Sequence, residues 1–224
     1  MDVRAEKMLQ ENPFLNHAEL AYRLIFEDII LGRYQIGERL FQDKLSGLYG
    51  MSRTPVRDSL LKLETEGYVK KDGSSGFKVK EIDVVDYMEF WEFRRCMETH
   101  MAAIAATNIT ETQLKKFRNN LEGTKKMGEY GNSLDIFRYD EEFHDLIVEA
   151  ADNQYFRGAY EYYEARIRYY RYLFQKQVNS VTIYAGHYRI YKALEKRNEI
   201  EAKDAMYYHL SFFMKHFHNK VKNK

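Results

Sequence analysis

Apolar side chains recur at intervals of three and four along most of this chain, the spacing of one face of an α-helix, and only two short segments alternate as strands do. Leu20, Ala21, Leu24, Ile25 and Ile29 form the stripe of a first helix from His17 to Leu31, which Gly32 ends. Glycine suits that place because helices commonly close through a left-handed residue. Gly37 lies in a short extended link before Leu40, and a second helix runs from about Gln42 to Leu48, closed by Tyr49-Gly50. A third starts after Ser52, a good N-cap, with Pro55 in the first turn, where a missing N–H costs least. At about 100° per residue, Val56, Leu60 and Leu63 share one side of it, and Arg53, Thr54, Arg57 and Asp58 lie on the flank. One face packs and the other is left to make contacts. The alternating segments Tyr68–Lys71 and Phe77–Lys80, joined by Asp72-Gly-Ser-Ser-Gly76, predict a β-hairpin.

Residues 1–16 are polar and irregular apart from Met8, Leu9, Phe14 and Leu15, and read as a loosely held arm. After a linker at 81–85 the helical period returns and continues through six or so helices to residue 224. Breaks fall at Asn108–Thr110, Gly128–Asn132, Asp152–Asn153, Val178–Val181 and Lys196–Asn198, and Thr110-Glu-Thr-Gln is a helix-starting sequence. The expected fold is mainly α, with an N-terminal winged helix-turn-helix bearing a small β-hairpin wing over 1–80 and an all-α antiparallel helical bundle over 86–224; element order by itself equally allows the first unit to be a small α+β domain that binds no nucleic acid. In a winged helix-turn-helix the third helix enters the DNA major groove.

Composition changes this picture little. The 224 residues are 45% hydrophobic, ample for a buried core. Apolar runs fall short of a membrane span and the first thirty residues carry charges, so neither a membrane nor a secretory address is expected and the place of action is the cytoplasm. Cys96, the single cysteine, is expected as a small core residue without chemistry. Thirty-five Lys and Arg against 34 Asp and Glu give a formal charge of +1, so global charge does not argue for nucleic acid. Locally, Arg53, Arg57, Lys62, Lys70, Lys71, Lys78 and Lys80 outnumber Asp58, Glu64, Glu66 and Asp72. The 19 tyrosines, dense from Tyr155 to Tyr172, and Trp91 belong to packing or to a pocket lining.

A second constellation has the spacing of a metal site. Asp140 and His144 are four apart on one helix and project from one face, while His187 and His209 stand among aliphatic and aromatic residues on two others. Spacing alone equally allows a solvent-exposed Asp–His pair and two hydrogen-bonded core histidines. His100, His216 and His218 fit no ligand position.

Longer motifs narrow the choice. Gly32-(x)4-Gly37-Glu-Arg-Leu40, Met51-Ser-Arg-Thr-Pro-Val-Arg-Asp-Ser-Leu60, Leu63-Glu-Thr-Glu-Gly67-Tyr-Val69 and Gly76-Phe-Lys-Val79 resemble the GntR family of bacterial transcription regulators over the first eighty residues. The resemblance implies that Arg53, Thr54 and Arg57 contact DNA and that Gly76 lets the wing approach it. Ile36 departs from the family's usual proline, and Ser75 stands where a basic residue or histidine often precedes the wing glycine. Arg94-Arg-Cys-Met-Glu98, Asp140-Glu-Glu-Phe-His144, Asn153, His187-(x)5-Ala193 and Ala205-(x)3-His209-Leu210 look like the FCD effector domain of the FadR subfamily. That likeness implies a divalent metal, Zn²⁺ or Ni²⁺ foremost, held by Asp140, His144, His187 and His209, with Arg94 receiving a small organic acid effector. Without the family pattern, Arg94 reads as a surface arginine or one in a structural ion pair. The function expected is a homodimeric, ligand-responsive regulator, most simply a repressor, on double-stranded operator DNA, and not an enzyme. A metal-dependent enzyme of small carboxylates and a purely structural helical protein are the rivals.

Overall fold

The computed structural model describes residues 2–73, 76–81, 83–127, 133–175 and 180–222, and these fall into two compact units, Met1–Ile82 and Asp83–Lys224. The expected break at Gly128–Asn132, the tip residue Ser75, the first half of the break at Val178–Val181 and the side chains of His216 and His218 lie outside the described residues.

In the first unit the order is α1 (Val3–Glu11), α2 (His17–Ile30), β1 (Arg39–Phe41), α3 (Gln42–Tyr49), α4 (Arg53–Thr65), β2 (Val69–Asp72) and β3 (Gly76–Val79). The apolar stripe of α2 packs on α4, where Leu20, Leu24, Ile25, Val56, Leu60 and Leu63 are buried. Gly32, Gly37 and Gly50 take the positive φ that their turns require. The hairpin of β2 and β3 gains a third, antiparallel strand, giving the order β1-β3-β2 with Leu40 opposite Phe77. That strand went unread because three residues are too few to display alternation.

Residues 3–11 correct the expectation of an irregular arm. They form α1, capped by the Asp2 carboxylate, which accepts from the Arg4 amide at 2.9 Å. Arg4 then donates Nη1 to Asp28 Oδ1 at 2.6 Å, and Ala5 is buried. A long-range ion pair of this kind leaves no periodic trace in sequence.

The second unit consists of α5 (Val84–Asn108), α6 (Glu111–Met127), α7 (Ser133–Ala151), α8 (Gln154–Gln175), α9 (Ser180–Glu195) and α10 (Glu199–Lys222). Asp83, inside the segment expected as linker, caps α5 by accepting from the Val85 amide at 2.9 Å. The capping box expected at Thr110 is reciprocal: the Gln113 amide donates to Thr110 Oγ1 and the Thr110 amide to Gln113 Oε1. α5 is the central helix, packed on α7, α9 and α10 and touching α8. It buries Tyr87, Trp91, Met97, Met101, Ala102 and Ala105, but also Arg94, Glu98 and Thr99. Cys96 is exposed, not a core residue, because it sits on the narrow outward face of this helix. In the tyrosine-rich α8, Tyr169 and Tyr170 are buried, and Tyr155 and Tyr162 face solvent.

Candidate functional site

The candidate contact face of the first unit is the start of α4. Arg53, Thr54 and Arg57 are all exposed, while Val56 and Leu60 on the opposite side are fully buried. Ser52 takes the extended backbone of an N-cap, but its side chain makes no cap hydrogen bond. Arg53 Nε meets Asp43 Oδ1 of α3 at 2.5 Å with both side chains mostly in solvent. An exposed pair of this kind is worth about 0–1 kcal/mol, so a phosphate or base edge can replace it. Gly76 has a reason of its own: a Cβ there would lie 2.8 Å from the Asp72 carbonyl oxygen, so the hairpin backbone excludes a side chain before any partner arrives.

In the second unit, Asp140 and His144 of α7, His187 of α9 and His209 of α10 are brought together and buried, which rules out the solvent-exposed pair. One ligand atom from each lies within 4.8 Å of all the others. Asp140 Oδ1 is 3.3 Å from His187 Nε2 and 3.8 Å from His144 Nε2. Metal–ligand distances of about 2.0–2.2 Å require donors roughly 3–4 Å apart, so the two Asp140 separations already suit an ion and the widest in the set would close by about an ångström. Burial, with the positive potential of His187 and His144 next, holds His209 well below its ordinary pKa of 6.5, so its imidazole is neutral and has a lone pair to offer. The Phe143 ring stacks on His187, centroids 3.8 Å apart and 5° from parallel, and fixes the plane of that imidazole. Three imidazoles and a carboxylate, dry and convergent, can hold a divalent metal.

Two residues that the sequence reading did not assign shape this cluster. Glu98 on α5 bonds His144 Nδ1 through Oε2 and Arg94 Nε through Oε1, all three side chains being buried. Arg94 is therefore no surface arginine; its guanidinium also lies 4.5 Å from the Trp91 ring centroid. The one sequence signal was the four-residue spacing of Arg94 and Glu98 on an otherwise apolar helix. Gly186, beside His187, leaves room for His209, whose Nδ1 would be 2.3 Å from an added Cβ. His100 is exposed on α5, its Nδ1 2.9 Å from the Cys96 carbonyl oxygen. A pocket of about 370 Å³ between α9 and α10 has His209 and Gly186 in its wall, with Arg189, Tyr208 and Phe212 around it.

Residues 17–79 match the family described as bacterial regulatory proteins, gntR family, and residues 89–212, more than half of the chain, match the FCD domain. The chain is a GntR-family regulator with an FCD domain. Over 202 residues this regulator is 28% identical to the HTH-type transcriptional repressor RspR of Escherichia coli strain K12, covering 90% of this chain and 89% of that one. It is 26% identical over 197 residues to the uncharacterized HTH-type transcriptional regulator YdhC of Bacillus subtilis strain 168, covering 87% and 88%. The solved structure of E. coli McbR/YncC shares the fold, with a TM-score of 0.77 at 18% identity over 93% of this chain and 100% of that one. The GntR-FCD protein is accordingly a ligand-responsive, DNA-binding transcriptional regulator, and the enzymatic reading has no support. Among the described residues no helix is long and apolar enough to cross a membrane.

Proposed function

We propose that this regulator, acting in the cytoplasm as a homodimer, represses transcription by binding a pseudo-palindromic operator through α4, and that a small organic acid near a metal in the FCD domain controls that binding. The observation that carries the proposal is the buried, convergent set Asp140, His144, His187 and His209 in a chain whose α4 exposes Arg53, Thr54 and Arg57. The ion is Zn²⁺ or Ni²⁺, which suit three imidazoles and one carboxylate and leave coordination positions for a ligand carboxylate. Arg94 would receive an effector carboxylate on Nη1 and Nη2, since its Nε is engaged by Glu98. The pocket beside His209, with Arg189 at its side, is the route by which a small anion would reach the cluster. Gly76 keeps the wing close to the duplex, Arg53 and Arg57 reach guanine edges or phosphates, and Thr54 reaches a phosphate. The effector acts only through its difference in affinity for the DNA-competent and DNA-incompetent arrangements.

The test is retention of the metal-loaded protein on DNA fragments of its own genome across a salt series, repeated with small carboxylic acids added. Retention is expected to weaken with salt, to fall on replacing Arg53 and Arg57 together with alanine, and to respond to at least one acid. Undiminished retention in the double variant would refute the assignment of α4, and indifference to every acid would refute the effector class.

A further inference from the structure

Glu98 lies on α5, and the four residues of the cluster lie on α7, α9 and α10. Its carboxylate is 1% exposed and presents one oxygen to each of two donors, Oε1 to Arg94 Nε and Oε2 to His144 Nδ1. A carboxylate paired with a guanidinium only accepts, so the proton on the His144 ring must sit on Nδ1. The other ring nitrogen, Nε2, is the one directed toward Asp140 Oδ1 at 3.8 Å. His144 is thus held with its lone pair facing the cluster before any ion arrives.

We infer that Glu98 is a positioning residue for the metal centre: by accepting from His144 Nδ1 it selects the tautomer and ring orientation in which His144 can ligate. The inference rests on the metal reading above. Arg94 has a part in the same device, because its ion pair anchors the carboxylate on α5 and keeps Oε2 aimed at His144. Burial of this degree makes an uncompensated charge costly, so each member of the chain Arg94–Glu98–His144 requires the next. The electron density that a hydrogen-bonded carboxylate lends to an imidazole also strengthens His144 as a ligand.

Glutamine in place of Glu98 separates this role from simple space filling. Its side chain has the same shape, but only one of its two terminal atoms accepts, so either Arg94 or His144 faces an amide donor. In the full-length protein, Zn²⁺ affinity measured by competition with a chelator should fall about tenfold to a hundredfold in Glu98→Gln. An unchanged affinity would overturn the inference. A second measurement uses the unsubstituted, metal-free chain: long-range ¹H–¹⁵N correlation spectra, with His144 assigned from a His144→Gln variant, should show the proton on Nδ1. A proton on Nε2 overturns the role of Glu98 whether or not Glu98→Gln folds. A wild-type chain that takes up no divalent ion overturns the metal reading instead, and the tautomer measurement still stands or falls by itself.

Discussion

Gly186 is the residue at which helix propensity and function oppose each other. Glycine within a helix such as α9 costs about 1 kcal/mol relative to alanine, yet the space above this one is occupied by the His209 imidazole. His209 is 5% exposed, with the rings of His144 and His187 at centroid distances of 5.4 and 4.7 Å, so a Cβ at position 186 would displace its imidazole from its place in the cluster. Gly186→Ala is therefore expected to keep the fold and lose metal. Zinc per chain after dialysis should drop markedly against the parent, while helical content by circular dichroism stays the same. Parental zinc content in the variant would show that the glycine is incidental. Asp140 and His144, by contrast, need no special room, since a four-residue spacing on one helix already places them together.

At the scale of the element, α1 shows how a short helix persists. Nine residues are too few to hold a helix in water by local propensity, so α1 depends on docking. Its anchor is Asp28 of α2, which also accepts from Arg33 Nη1 and from the Tyr49 hydroxyl, each at 2.6 Å. Burial first, then the bond to Asp28, pushes the Tyr49 hydroxyl far above its ordinary pKa and keeps it a donor. One buried carboxylate thus joins α1, α2, the turn after α2 and α3. Arg4→Ala removes one of three partners and should release α1 alone, with hydrogen-exchange protection lost over residues 3–11 and retained in α2 and α4. Asp28→Ala takes the acceptor from the buried Tyr49 hydroxyl and loosens Arg33 and Arg4, the latter keeping Asp2 and Glu27, and should cost roughly 1–3 kcal/mol of unfolding free energy in a denaturant titration. Equal effects of the two substitutions would mean that Asp28 is not the hub.

For the whole molecule the buried histidine sets a pH dependence. His209 is held below its ordinary value of 6.5 in the folded state, so between that pH and its lowered folded pKa the unfolded chain binds a proton that the native chain does not. Stability gained from the neutral form is full above pH 6.5 and declines as pH falls below it. Carboxylates held low by cations act later: Glu195, lowered chiefly by Lys192 and then by Tyr191, contributes from 4.5 downward. The metal-free protein is therefore expected to melt at a lower temperature at pH 5.5 than at pH 7.5, and a saturating metal should widen the difference, because protons and metal compete for the same imidazoles. Equal melting temperatures at the two pH values, with and without metal, would contradict a neutral His209 in the native chain.

Much of this regulator was legible in its residue order, and the division follows from the range of the forces involved. Period, capping and turn chemistry act within a few residues, so the stripe of α2, the cap at Thr110, the glycine turns at Gly32 and Gly50 and the exposed arginines of α4 could be read directly. The four candidate ligands were also visible as residues, two by spacing and all four by likeness to a family. Their convergence was not, because whether an Asp–His pair is a wet surface feature or part of a dry cluster depends on which helices cover it. The same dependence on packing explains the rest: α1 became a helix through an ion pair spanning 24 positions, Cys96 fell on the outward side of α5, and β1 was too short to show a period. Glu98 and Gly186 acquired their roles only through side chains brought from other helices, which no local pattern can specify.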